Sequence, residues 1–352
     1  MDTHSDIMKN YRNRIFAAII LPLTLALLLF VANIFYGSVD IPSAEVFDIL
    51  LGNEPQRESW RMIVMQSRLP QTVVALLCGM SLSAAGLMLQ TLFNNPLAGP
   101  EVFGINSGAG LGVAVVMLLL QGSFTAGNMT IAGYFAILAG AFVGALAITA
   151  IILLFSLTLR GNIFLLIAGM ALSYLTSSLI TLLNYFSTSE GVHSYLIWGM
   201  GNFGGVSLQQ LPFFAITSVV ALAGSLLMMK PLNALLLGKT YAENLGVNTG
   251  RTRLLLLLLT GLLTAIVTAF CGPISFIGLA VPHIARLLLK TNNHRVLLPA
   301  TLFTGACVTL LCNIICHLPG ESGLIPLSAI TPLMGAPVII YVVLKSKGQF
   351  SS

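Results

Sequence analysis

Charge is scarce in this chain, and long stretches carry none at all. Charged residues make up 8% of the 352 against 57% hydrophobic. A soluble domain cannot hide that much apolar surface, so a soluble fold is excluded. Strict apolar–polar alternation is missing too. Lipid tolerates only helices or closed barrels, and without the alternation of a barrel strand the runs read as helices. Asp, Glu, Lys and Arg are absent from the deep parts of these runs, with Glu101, Glu190 and Glu321 at ends or in loops. That weighs against a proton-coupled carrier, which keeps an ionisable relay in the membrane. It also weighs against an intramembrane protease or metalloenzyme, which needs paired carboxylates or a His-Glu metal motif. A sodium-coupled secondary transporter using carbonyl and hydroxyl ligands stays open as an alternative.

Metal ligands do not cluster either. His193, His317 and the cysteines lack convergent spacing, and a free-ion channel would want carboxylate rings. All five cysteines (Cys78, Cys271, Cys307, Cys312, Cys316) lie in apolar runs. Cys312 and Cys316 share a helix face at i,i+4, where a disulfide is geometrically poor, so they read as small packing residues. No metal site, catalytic residue or bound cofactor is expected.

What is present is ten apolar spans, against the roughly 20 helical residues a bilayer crossing takes. They run Ile15–Tyr36, Thr72–Leu92, Val102–Leu120, Ile131–Phe155, Ile163–Tyr185, Leu211–Met229, Leu254–Cys271, Ile274–Leu289, Val296–Cys316 and Leu324–Leu344. The seventh and eighth are parted only by Gly272-Pro273, a loop or a Pro-centred kink. The first has a basic flank but is too long for a cleaved signal core and no clear cleavage site follows. The expectation is one all-α, polytopic domain over residues 1–352, without linker or separate soluble part.

Lys and Arg orient it. With the N-terminus inside, ten spans return the C-terminus inside. The cytoplasmic side then carries Lys9, Arg12, Arg14, Arg160, Lys230, Lys239, Arg251, Arg253, Arg286, Lys290, Arg295, Lys345 and Lys347, and the outside only Arg57, Arg61 and Arg68. The net charge of +5 thus reflects topology. Basic residues spread over short loops give no nucleic-acid footprint.

The loops add detail. In the outer segment 37–71, Ser43 is placed to cap a short helix through Leu51 with Val46, Phe47, Ile49 and Leu50 at the membrane face. The outer segment 186–210, with Trp198 and two Gly-rich pairs, reads as interfacial or re-entrant. Residues 1–14 form a short cytoplasmic segment, and 230–253 the largest inner one. Within it, Leu237 to Val247 reads as a short helix ending at Gly246. Gly238-Lys239-Thr240 imitates the end of a phosphate-binding loop, but Asn233 stands where the first glycine belongs and no strand precedes it.

Several motifs then occur in order: Arg68-Leu69-Pro70-Gln71-Thr72, Gly86-Leu87-Met88-Leu89-Gln90, Asn94-Asn95-Pro96-Leu97-Ala98, Leu245-Gly246-Val247-Asn248, Gly272-Pro273-Ile274-Ser275-Phe276-Ile277-Gly278-Leu279, Val281-Pro282-His283-Ile284-Ala285-Arg286 and Met334-Gly335-Ala336-Pro337. From Arg68 to Leu344 the chain resembles the permease subunits of binding-protein-dependent ABC importers for iron chelates, haem and cobalamin. The resemblance implies the type II importer permease fold, ten helices, a homodimer in the bacterial cytoplasmic (inner) membrane, two ATP-binding subunits on the cytoplasmic side and a substrate-binding protein outside.

By the same resemblance, Gly238, Ala242, Leu245 and Gly246 match the short helices that fit a groove on the ATPase. Lys239 stands where the family has an acid and Glu243 where it has a basic residue, which fits either a matching ATPase surface or a helix-solvation role. Docking of the binding protein maps to Arg68, with Gln71 where a second arginine is usual and His317 where a third is common. Asn313 replaces a frequent aspartate and Leu324 a frequent glutamate. Arg57 and Arg61 either substitute for the lost charge or are solvated loop charges. Ser173, Ser177, Thr181 and Asn184 form one helical stripe. On chemistry alone that stripe reads as helix-to-helix or back-to-backbone bonding, whereas the resemblance implies a translocation path on the dimer axis. His283, beside Pro282 and next to Arg286, reads as structural at the cytoplasmic edge of the eighth span. The expected cargo is an intact iron chelate, ferric siderophore or haem. Cobalamin is the alternative, because Tyr185-Phe186-Ser187-Thr188-Ser189 and Phe203-Gly204-Gly205-Val206 look like cobalamin permeases.

Overall fold

A computed structural model of the chain describes residues 2–119, 131–158, 162–320 and 323–350. Leu120, Arg160 and Glu321 lie outside the described residues, as do the side chains of Lys9, Arg12, Arg14, Lys345 and Lys347. Among the described residues there is no strand. The helices are α1 (Asp2–Phe35), α2 (Ser43–Leu50), α3 (Glu58–Met62), α4 (Leu69–Leu92), α5 (Ile105–Ala114), α6 (Ile131–Thr158), α7 (Asn162–Phe186), α8 (Ser189–Gly199), α9 (Leu211–Leu227), α10 (Met229–Leu235), α11 (Lys239–Asn244), α12 (Thr249–Cys271), α13 (Ile277–Leu289), α14 (His294–Cys316) and α15 (Leu327–Phe350).

Five helical stretches are long and apolar enough to cross a membrane: Glu58–Leu92, Phe135–Thr158, Ile163–Phe186, Thr249–Cys271 and His294–Cys316. α9 and α10 form a sixth as a pair bent by 47°. Shorter apolar helices over Ile19–Phe35, Ile105–Leu118, Ile277–Leu289 and Leu327–Val342 take the four remaining expected spans. The second span starts earlier than its hydropathy suggests. A π-helical turn over Ile63–Arg68 joins α3 to α4 without a break, and it ends just ahead of Pro70, which has no N–H to give to a regular helical turn. At Gly272-Pro273 the chain forms a loop, not a kink: Gly272 takes φ +77° and α13 restarts at Ile277. Asn106 braces this break, accepting from the Thr268 hydroxyl at 2.9 Å and donating to the Ile274 carbonyl at 3.3 Å.

α4 is the axis of the bundle, with 83% of its apolar window buried. Its neighbours come in on glycine. A Cβ added at Gly86 would lie 1.7 Å from the Gly278 oxygen on α13, and one at Gly79 2.2 Å from the Gly305 oxygen on α14. α5 and α6 meet the same way through two small-x-x-x-small pairs. Cβ atoms built at Gly112 and Gly144 would lie 1.9 Å and 2.1 Å from the oxygens of Gly140 and Gly108. Lipid tails are as apolar as leucine, so helices associate through such close backbone packing and not through a hydrophobic drive.

Two readings of the outer segment are corrected. Ser43 is the first helical residue of α2, Pro42 stands at the cap position, and no side chain caps the end. Val46 and Ile49 turn inward with Ile34, Ile41 and Val64, leaving Phe47 and Leu50 exposed. Arg68 does not face outward as a docking charge. It is only 5% exposed, and its guanidinium donates to the carbonyls of Ile34 (3.1 Å), Phe35 (2.8 Å) and Val39. The Ile34 and Phe35 oxygens end α1 without intrahelical donors, the Val39 oxygen follows in the loop, and a cation there also opposes the negative end of the helix dipole. Gln71 is turned in as well. It donates to Asn313 Oδ1 at 3.0 Å, Asn313 donates to Asn33 Oδ1 at 2.8 Å, and Asn33 donates to the Leu310 carbonyl at 3.1 Å. This chain ties α1, α4 and α14 together.

Arg68→Ala should therefore act as a stability mutation, costing about 2–3 kcal/mol for the orphaned carbonyls, and Arg68→Lys should not restore it because the fork geometry is lost. Thermal unfolding in detergent checks this: a melting temperature unchanged by both substitutions would show that the clamp carries no weight.

Candidate functional site

The inner segment builds a compact projecting unit. α11 starts at Gly238, whose φ of +96° breaks the chain out of α10, and ends at Gly246, whose φ is +81°. Gly246 N–H bonds to the Glu243 carbonyl at 2.9 Å and Val247 N–H to the Ala242 carbonyl at 3.0 Å, the paired bonds of a Schellman end. Ala242 is fully buried and anchors the helix to the bundle. The exposed apolar side chains are Leu237, Tyr241 and Leu245, at 61%, 54% and 58%. Tyr241 and Leu245, at i, i+4, make one apolar ridge, and Leu237 stands just ahead of it, before the Gly238 break. Of the four residues matched to coupling, Leu245 thus presents surface, Ala242 holds the helix, and the two glycines shape its ends. Tyr241 completes the ridge, and its place between Gly238 and Gly246, one helical turn before Leu245, was the signal for it. The Lys239–Glu243 exchange is satisfied locally. The two side chains pair at 3.9 Å across one turn, and Glu243 accepts from the Thr249 hydroxyl at 2.7 Å.

α7 is the least enclosed of the long helices, with 22% of its apolar window buried. Its polar stripe divides. Ser173 is half-buried, donates to the Gly169 carbonyl at 3.0 Å and packs on the turn at Gly104. Ser177 and Thr181 are exposed, the Thr181 hydroxyl bonding back to the Ser177 carbonyl at 3.0 Å. Asn184 is half-buried, and its Oδ1 has no hydrogen-bond partner. The open part of the stripe is therefore Ser177 and Thr181, flanked by exposed Tyr174 and Tyr185.

At the other end of the bundle, Gln71, Asn313 and His317 line one small cleft of about 190 Å³ with Asn202 and Leu324. His317 Nδ1 lies 2.7 Å from the Asn313 carbonyl. Arg68 is not part of this cleft. Arg57 and Arg61 are exposed, and Arg57 lies over the Trp60 ring at 5.2 Å. The segment after α7 folds back: α8 is capped by Thr188, Asn202 N–H bonds to the Cys271 carbonyl, and Phe203 is fully buried.

The remaining motif residues meet at the α4–α13 contact. Gln90 accepts from Arg286 at 2.5 Å and donates to the Leu279 carbonyl at 3.1 Å, and a His283 ring nitrogen lies 2.8 Å from the Pro96 carbonyl. The His283 and Arg286 side chains thus have partners within the bundle. Glu101, between α4 and α5, is folded inward. Burial pushes its carboxyl up, N–H donors at Glu101 and Phe276 oppose the shift, and Oε1 has no partner. No group of three or more His, Cys, Asp or Glu able to hold a metal occurs among the described residues.

Known proteins share this arrangement. The family model described as the FecCD transport family matches residues 25–345. The vitamin B12 import system permease protein BtuC of Klebsiella pneumoniae is 39% identical over 289 residues, covering 82% of this chain and 84% of that protein. The protein of the same name from Salmonella typhi is 40% identical over 285 residues, with 81% and 84% covered. A solved structure described as a metal-chelate type ABC transporter in an inward-facing conformation superposes with a TM-score of 0.80 at 28% identity, covering 93% of this chain and 98% of that one. A match of this extent, on a helical bundle whose packing contacts are the shared motifs, settles membership: the chain belongs to the FecCD transport family and is an ABC importer permease.

Proposed function

We propose that this permease passes cobalamin across the bacterial inner membrane, as one half of a homodimer driven by two ATPase subunits and supplied by an external binding protein. The observation that carries the cargo is the 39–40% identity to vitamin B12 permeases over more than four-fifths of the chain. The Tyr185–Ser189 stretch at the end of α7 and the Phe203–Val206 stretch packed on α4 and α12 point the same way. An iron chelate is the second reading, favoured by the metal-chelate type structural relative at 28% identity. It led the expectation from sequence, and the relatives reverse the order. The cognate binding protein, purified and offered cobalamin, haem and a ferric siderophore, should retain cobalamin. Retention of an iron chelate alone would install the second reading and leave the importer intact.

Energy enters through α11 in this reading. Its exposed apolar ridge has no use in water, and an ATPase surface would cover it. A Cβ at Gly246 meets nothing within 4 Å, so a larger residue projects outward and costs only the strain of its positive φ, about 1–2 kcal/mol. Gly246→Leu should lower uptake at least about tenfold, the equivalent of about 1.4 kcal/mol of coupling, while ATP hydrolysis by the complex persists. Gly246→Ala, with the same backbone strain and little bulk, should transport. Equal loss in both would make the defect one of folding, and full transport by the leucine variant would remove α11 from the coupling path.

The positive-inside bias supports α11 on the cytoplasmic face, and the thinly covered α7 supports a second copy across the pore from Ser177 and Thr181. Docking of the binding protein then falls to Arg57, Arg61 and the Gln71–His317 cleft. Single cysteines at positions 57, 177 and 239 in sealed, right-side-out vesicles test the arrangement. Position 57 should react with an impermeant reagent, 239 should not, and 177 should cross-link two copies. Labelling of 239 before 57 would invert the topology.

A further inference from the structure

At the end of the bundle that carries α11, the tips of α6, α10 and α12 and the end of α4 leave a cleft of about 780 Å³. It has two kinds of wall. One is cationic and polar, made by Arg253, Lys239, Thr249 and Thr91, with no carboxylate among the lining residues. The other is aliphatic, made by Leu154 and Leu157 of α6, Leu254 of α12 and Leu236 after α10, all exposed. Arg253 is the unexplained part. Its Nε and Nη2 atoms are buried, and neither has a hydrogen-bond partner. A guanidinium edge shut away without an acceptor is costly, and its two parallel donors match two oxygens of one phosphate. Lys239, on the same wall, is 3.9 Å from the Glu243 carboxylate, at the outer limit of an ion pair, which leaves its ammonium able to face a second anion.

We propose that this cleft binds an anionic phospholipid, with the Arg253 side chain turning its unpartnered Nε–Nη2 edge out to the phosphate and an acyl chain along Leu154 and Leu157. The two walls together select the occupant. A free phosphate uses the cationic wall and gains nothing from four exposed leucines, while a zwitterionic lipid fills the aliphatic wall but brings its own cation to Arg253. The cleft also sits where α12 enters the membrane, between its polar first turn and its apolar body, the depth of a headgroup. The site does not depend on α11 engaging an ATPase.

The full-length protein, delipidated in neutral detergent, is offered phosphatidylglycerol or phosphatidylcholine, and bound lipid is counted by native mass spectrometry. Phosphatidylglycerol should be retained in preference. Arg253→Gln should weaken its retention about tenfold, as expected for losing a charge-assisted bidentate contact. Arg251→Gln removes the same charge from an exposed site two residues away, outside the cleft, and should leave retention unchanged. If Arg253→Gln fails to fold, Leu154→Gln keeps both cations and should still reduce retention by removing acyl contact. Three results would each overturn the assignment: phosphatidylcholine retained as well as phosphatidylglycerol, displacement of phosphatidylglycerol by excess inorganic phosphate, or equal losses in the Arg251 and Arg253 variants.

Discussion

The structure depends on how closely backbones approach one another around α4. In a bilayer no helix gains by hiding apolar side chains from a neighbour. What remains is dispersion, which needs many atoms at contact distance, and glycine is the residue that allows it. Gly79 and Gly86 let α14 and α13 lie directly on the α4 backbone, and Gly108, Gly112, Gly140 and Gly144 do the same for α5 and α6. The built Cβ distances at these sites are far below any real contact, so a methyl group at one of them would push whole helices apart. The short helices α5 and α13 gain from this most, because neither is long enough to be placed by its own span of the bilayer.

Polar groups supply direction where glycine supplies proximity. Arg68 ends α1, the Asn33–Asn313–Gln71 chain joins three helices, and Gln90, Arg286, His283 and Pro96 fasten the loop after α4 to α13. Each is a buried donor or acceptor that hydrocarbon cannot satisfy, and a partner in only one geometry serves. Most of the motifs on which the resemblance rests are these struts, and struts of this kind say little about cargo.

That division explains what could be read from residues alone. Ten spans and their helical character were legible because bilayer thickness imposes a length and an apolar composition on each. The end of α11 at Gly246 was legible because a positive φ favours glycine. Arg68 was not. A basic residue beside an outer loop looks like a surface charge, and the carbonyls it caps, at Ile34, Phe35 and Val39, leave no mark in side-chain sequence. The unbroken run from α3 through α4 was hidden for a related reason, since its first turns are polar and hydropathy cannot tell a helix that emerges into water from a loop. The polar stripe of α7 divided in the structure because Ser173 and Asn184 sit at the margins of the face that meets neighbouring elements, and spacing alone fixes a face but not what covers it.

A rigid centre with two loosely held attachments is a workable machine for moving a bulky solute. α4 and its glycine-packed neighbours form a body that resists bending, because close-packed interiors transmit displacement and do not absorb it. α11 is joined to that body by one buried alanine and two glycine turns, so a push on its exposed ridge reaches α12 through Thr249 and the first turn of that helix. α12 in turn packs on α4, α5, α6 and α9, and its far end meets the Gly272 loop, where Asn106 ties it to α5. α7, held chiefly by α5 and α6, is the long helix with the least to lose when those two shift. If α11 takes up the stroke of an ATPase as proposed, force applied there has a continuous packed path through α12 to α5 and α6, and α7, where packing is thinnest, is the long helix freest to move.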